Sequence, residues 1–133
     1  METVPLPVTL ATACVLALMG FVLAARVSGA RRKHRVSLGD KGNDEVLLRT
    51  RIHGNFVEFV PFILILMALL EASGASRNGL MACGALLFIL RLMHVVGMPR
   101  PAPNVFRAVG AGGTYLMMAG LAVWGLTLVL AGF

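Results

Sequence analysis

Residues 51–70 read RIHGNFVEFVPFILILMALL, and residues 79–98 read GLMACGALLFILRLMHVVGM. From Phe59 to Leu70 there is no polar residue, and from Gly79 to Leu90 the chain is nearly as apolar. Yet Asn55 and Glu58 open the first run, and Arg91 and His94 close the second. An ionisable group in hydrocarbon costs several kcal/mol unless it is paired, so such residues face a bundle interior and mark function. Two apolar helices with polar pairs at matching depth predict a membrane bundle with a polar site inside it.

The remainder of the chain agrees with that reading. Its 133 residues are 58% apolar and 14% charged, with a mean hydropathy of +0.85, whereas soluble domains carry about 25% charged residues. We expect a single all-α integral membrane domain over residues 1–133, a bundle of four transmembrane helices. The spans fall near Val4–Ala25, Leu47–Leu70, Leu80–Met98 and Val105–Leu130, each long enough at about 20 residues to cross a bilayer. The runs are continuous rather than alternating, which argues against a barrel. Met1-Glu2 provides no basic n-region, so the first stretch reads as a retained span and not a cleaved signal peptide.

Lysine and arginine set the expected orientation. Arg26, Arg31, Arg32, Lys33, Arg35, Lys41, Arg49 and Arg51 lie between spans one and two, and Arg100 and Arg107 between three and four. Only Arg77 stands on the other side, with Glu2. The positive-inside rule then places both termini outside and both basic loops in the cytoplasm. The net charge of +6 is mostly this topology signal. Anionic membrane lipids account for the Arg31–Arg35 cluster more simply than nucleic acid, which is not expected as a partner.

Cys14 and Cys83 fall mid-span and read as small buried hydrophobes, with no metal-ligand spacing around them. Gly110-Ala-Gly-Gly113 lacks the Lys-Ser/Thr of a phosphate loop and reads as a helix-packing stripe, as do Gly79, Ala82 and Gly84.

Arg51, Asn55 and Glu58 stand at i, i+4 and i+7 and share one stripe of the second helix. Arg91 and His94, at i and i+3, share a face of the third. The two helices run antiparallel, so Glu58 and Arg91 are expected to meet. One reading of that pair is purely structural, a staple between helices. The other is a site: Arg51, Asn55, His94 and Arg107 add donors around one cytoplasm-facing cavity, more than one carboxylate needs. Arg107 also opens the fourth helix, whose N-terminus favours an anion. Excess positive charge with one carboxylate suits a small ligand bearing two carboxylates and one amine.

At these residues the chain resembles the membrane-associated proteins in eicosanoid and glutathione metabolism, the MAPEG family, and most closely its small bacterial branch. The Arg-x-x-x-Asn-x-x-Glu pattern with a following proline stands here as Arg51, Asn55, Glu58 and Pro61. Arg-x-x-His/Tyr-x-x-Gly stands as Arg91, His94 and Gly97, and Arg31-Arg32-x-x-Arg35 resembles the family's basic first-helix end. The resemblance implies a homotrimer with glutathione as co-substrate, bound between subunits by Arg31, Arg51, Asn55, Glu58, Arg91 and His94. It makes Arg107 the group that stabilises the thiolate, with Arg100 as its competitor, and a lipophilic electrophile or hydroperoxide the second substrate. Phe59 and Met98 depart from the pattern, standing where several eukaryotic members carry tyrosines. The expected activity is a glutathione-dependent transferase or peroxidase. The alternative is a non-catalytic protein of the same fold binding glutathione or lipid. A small multidrug transporter is a third class, but it would want an acidic residue in the first span, which has none.

Overall fold

Residues 5–132 are described by a computed structural model. Four helices follow in order: α1 (Pro7–His34), α2 (Asp44–Ala72), α3 (Arg77–Gly97) and α4 (Val105–Ala131). Each is long and apolar enough to cross a membrane. Val4, the expected start of the first span, and Glu2 lie outside the described residues.

The helix ends differ from the hydropathy limits for a physical reason. Hydropathy marks where a chain leaves hydrocarbon, whereas a helix ends where its caps are. α1 begins with Pro7 in its first turn, where a missing N–H costs nothing, and runs on past Ala25 through Arg31, Arg32, Lys33 and His34. Cations in the last turn suit the negative end of the helix dipole. At its 28 residues α1 spans about 42 Å, so its basic end extends beyond a hydrocarbon layer of about 30 Å. Arg35 stops it in the left-handed region at φ 55°. α2 starts ahead of Leu47, where the Asn43 side chain accepts from the Val46 N–H at 3.0 Å. Pro61 leaves the Val57 carbonyl without its helical donor, yet α2 continues to Ala72.

α1 and α2 form one hairpin and α3 and α4 the other, and α2 leans on α4 more than on α3. Two carboxylates clamp the first hairpin at opposite ends. The Glu71 carboxylate accepts from the Val8 N–H at 2.9 Å and the Thr9 N–H at 2.8 Å, satisfying orphan donors at the start of α1. Glu45 meets Lys33 Nζ and His34 Nε2, each at 2.8 Å, at the other end. Leu16, Ile52, Ile63, Met67, Leu80 and Leu87 fill the core between these ends. Large apolar side chains such as Leu18, Phe21, Phe62 and Leu116 face outward, as expected of a surface in lipid. Cys83 is half-buried, whereas Cys14 is exposed on the outer face and not buried as its mid-span position suggests; both are free thiols.

α3 and α4 approach most closely where glycine permits it. A Cβ on Gly110 would stand 2.5 Å from the His94 backbone nitrogen, and one on Gly97 would fall on the Arg107 backbone. Gly112, two residues further, faces open space. Gly110→Val should therefore part the two helices and lower stability by about 1–3 kcal/mol through overpacking. Gly112→Ala should leave the thermal midpoint in detergent unchanged or higher, and equal loss from both would contradict the packing described.

Candidate functional site

Arg91 is the largest fully buried side chain, at 1% exposure. One terminal nitrogen, Nη1, donates to Asn55 Oδ1 at 2.8 Å, and the other, Nη2, donates to the Gly110 carbonyl at 3.0 Å. The guanidinium thereby ties α3 to α2 and α4 together. The same Gly110 carbonyl also accepts from Thr114 Oγ1 at 2.7 Å, so it is a strongly used acceptor at the closest point of α3 and α4.

The expected Glu58–Arg91 ion pair does not form. Glu58 is exposed and has no ion pair among the described residues. Three residues along a helix turn a side chain by about 60° from its starting direction, so only one of Asn55 and Glu58 can face Arg91. Asn55 takes that position, because α2 lies nearer α4 than α3 and turns Glu58 outward. Neutral oxygens meet the two terminal nitrogens of the buried cation, while its Nε has no partner among the described residues, and no second charge is taken out of water.

Glu58 turns instead into a cavity of about 740 Å³ between α2, α3 and α4, a volume within the usual range for small-molecule sites. Leu47, Thr50, Arg51, Gly54, Asn55 and Glu58 line it from α2, His94 and Met98 from α3, and Arg107, Ala111 and Tyr115 from α4. Arg51, Asn55, Glu58, His94 and Arg107 are thus brought to one wall system. Arg91 sits behind that wall, holding Asn55 in place. Arg100 is elsewhere, with its guanidinium 4.4 Å over the Phe106 ring. Arg31 lies at the end of α1 and donates to the Gly39 carbonyl at 2.7 Å and, at 3.5 Å, to that of Ser37.

The cavity wall is rich in unmet hydrogen-bonding capacity. His94 is 5% exposed, yet neither ring nitrogen has a partner among the described residues, and Thr50 Oγ1 is likewise unpartnered. A buried polar group left unsatisfied costs about 1–3 kcal/mol, and these atoms lie just behind the cavity surface, closed off from solvent. Asn104 Oδ1 caps the α4 N-terminus by accepting from the Arg107 N–H at 2.9 Å, beside the cavity. Around one free carboxylate the cavity presents two guanidiniums, an amide and an imidazole.

Tyr115 is a polar lining residue that sequence reasoning missed, as is Thr50. The Tyr115 ring packs against Phe59 with centroids 4.6 Å apart. Helical spacing carries the signal: Arg107, Ala111 and Tyr115 are each four residues apart and so share a face.

A bundle of four membrane-spanning helices with a polar cavity at one end defines the class, and the comparisons with known proteins specify it. The MAPEG family model matches residues 9–127, and the chain belongs to that family. It is 42% identical over 67 residues to the inner membrane protein YecN of Escherichia coli (strain K12), and equally to the protein of that name from Escherichia coli O6:H1. Each match covers 50% of this chain and 51% of the relative, so the chain spans about half the length of the curated relatives it matches. No solved structure matches it.

Removing the buried cation should be far costlier than neutralising the exposed carboxylate. Arg91→Ala strands Asn55 Oδ1 and takes from the Gly110 carbonyl its charged donor, leaving that carbonyl to Thr114; each bond to a charged donor is worth about 1.5–3 kcal/mol. Thermal unfolding in detergent should show a large loss for Arg91→Ala and little change for Glu58→Gln. Similar losses in both would restore the ion pair that the geometry excludes.

Proposed function

We propose that the protein is an inner-membrane, glutathione-dependent transferase or peroxidase, active as a homotrimer. Both termini face the periplasm in this reading, and the cavity opens to the cytoplasm. One observation carries it: a cavity that gathers Arg51, Arg107, His94 and Asn55 around a free Glu58 carboxylate. Glutathione has the complementary charges, two carboxylates and one amine. Glu58 takes the amine, while Arg51, with Asn55 and His94 as neutral donors, holds the carboxylates. Family membership and the shared half with inner membrane protein YecN support the setting.

Arg107 then stands by the sulfur. A thiol with pKa near about 8.5 needs a positive neighbour to ionise at neutral pH, and a poorly hydrated guanidinium supplies one without losing its own proton. The thiolate attacks a lipophilic electrophile or hydroperoxide that arrives from the bilayer. The exposure of Arg51 and Glu58 in a single protomer supports assembly, since a neighbouring copy would cover them and bring its own Arg31 to the ligand.

Met98 lines the cavity without a hydroxyl, and this favours a second reading, a non-catalytic member of the fold that binds glutathione or lipid. Titration calorimetry and turnover assays separate the two. The proposed function predicts heat on adding glutathione, and turnover of a lipophilic electrophile by the same preparation. Arg51→Ala should weaken binding by about 1.5–3 kcal/mol, the worth of a charge-assisted contact. Absence of heat and of thermal stabilisation at saturating glutathione would overturn the transferase reading. Binding without turnover would select the second.

A further inference from the structure

We propose that Tyr115 is a catalytic residue of this cavity: its phenolic O–H donates to an oxygen of the lipophilic co-substrate on which negative charge builds as the thiolate attacks. This rests on the glutathione-dependent reading above and narrows it to substrates whose reacting group carries such an oxygen.

The placement is set by α4. Arg107, Ala111 and Tyr115 all line the cavity and occupy successive turns of one helix face, about 6 Å apart. Helical side chains lean toward the N-terminus, so the Tyr115 side chain tilts back over the turn of Ala111. The small Ala111 side chain leaves room there. A sulfur held by Arg107 and an oxygen bonded to Tyr115 would lie on either side of that space. Phe59 braces the phenol ring, with centroids 4.6 Å apart and planes at 42°. The nearby hydrogen bonds run among Arg91, Asn55, Gly110 and Thr114, and none among the described residues uses the Tyr115 hydroxyl. The residue is 44% exposed beside Leu116 at 76%, so the phenol stands at the edge of the polar cavity.

Conjugate addition to an α,β-unsaturated carbonyl shows the step. The thiolate sulfur bonds to the β-carbon, the C=C π pair shifts, and charge collects on the carbonyl oxygen as an enolate. Tyr115 hydrogen-bonds that oxygen and keeps its own proton. The α-carbon then takes from solvent the proton that the thiol released, so the addition balances without oxidant or reductant. A donor aimed at a developing oxyanion is a large single contribution to catalysis, and losing one costs about 100-fold or more in rate.

Tyr115→Phe in the full chain, in detergent, tests this against two electrophiles, a long-chain alkenal and a long-chain alkyl iodide that has no oxygen. The substitution keeps the ring and its contact with Phe59. The expected result is a loss of about 100-fold in kcat/KM with the alkenal, unchanged turnover of the iodide, and an unchanged heat of glutathione binding. Equal losses for both electrophiles would reduce Tyr115 to a structural residue and overturn the inference alone, as would no loss for either. If the unmodified chain takes up no glutathione, the inference and the function it rests on both fall.

Discussion

The buried guanidinium of Arg91 is the interaction on which the bundle and its cavity both depend. It projects from α3 into the one place where α2 and α4 can be reached together, and it spends its two terminal nitrogens on Asn55 and the Gly110 carbonyl. A lone cation in hydrocarbon is costly, but here two oxygen acceptors meet it without a second charge. The geometry requires glycine at residue 110, because a side chain there would drive α3 and α4 apart and break the contact. It also settles how Asn55 is turned, and therefore where Glu58 and Arg51 point.

From that constraint the cavity follows. With Asn55 committed to Arg91, the stripe of α2 rotates so that Arg51 and Glu58 open into the space between α2 and α4, and His94 and Arg107 close it. The first hairpin is held independently, by Glu71 on the α1 N-terminus and Glu45 on the basic end of the same helix. The polar groups of the molecule thus divide. One set fastens helices through hydrogen bonds and ion pairs, and the other, Arg51, Glu58 and Arg107, faces the cavity.

Much of this was legible in the sequence, because a bilayer makes hydropathy decisive. The four spans, the shared stripe of Arg51, Asn55 and Glu58, and the packing glycine at residue 110 all follow from period and composition. The partner of Arg91 did not. Asn55 and Glu58 sit three residues apart on one helix, and choosing between them depends on how α2 is rotated against α4, a tertiary quantity. Glu71 was hidden for a similar reason. Nothing local signals that a carboxylate at the end of α2 caps a helix that starts more than sixty positions earlier. Hydropathy alone ends the first span at Ala25, whereas the membrane helix continues through its basic flank to His34. Tyr115 was readable by spacing from Arg107 but carried no motif.

The central claim is that this cavity holds a thiol tripeptide with its sulfur beside Arg107. Ultraviolet absorbance of the thiolate, followed across pH with glutathione bound to the protein, tests it most directly. The account predicts that the bound thiol ionises well below the value of about 8.5 for a free thiol, and that Arg107→Ala moves the transition back up while the tripeptide stays bound. Ionisation of bound glutathione at the free-thiol pH, or the same depressed transition with Arg107 removed, would contradict it.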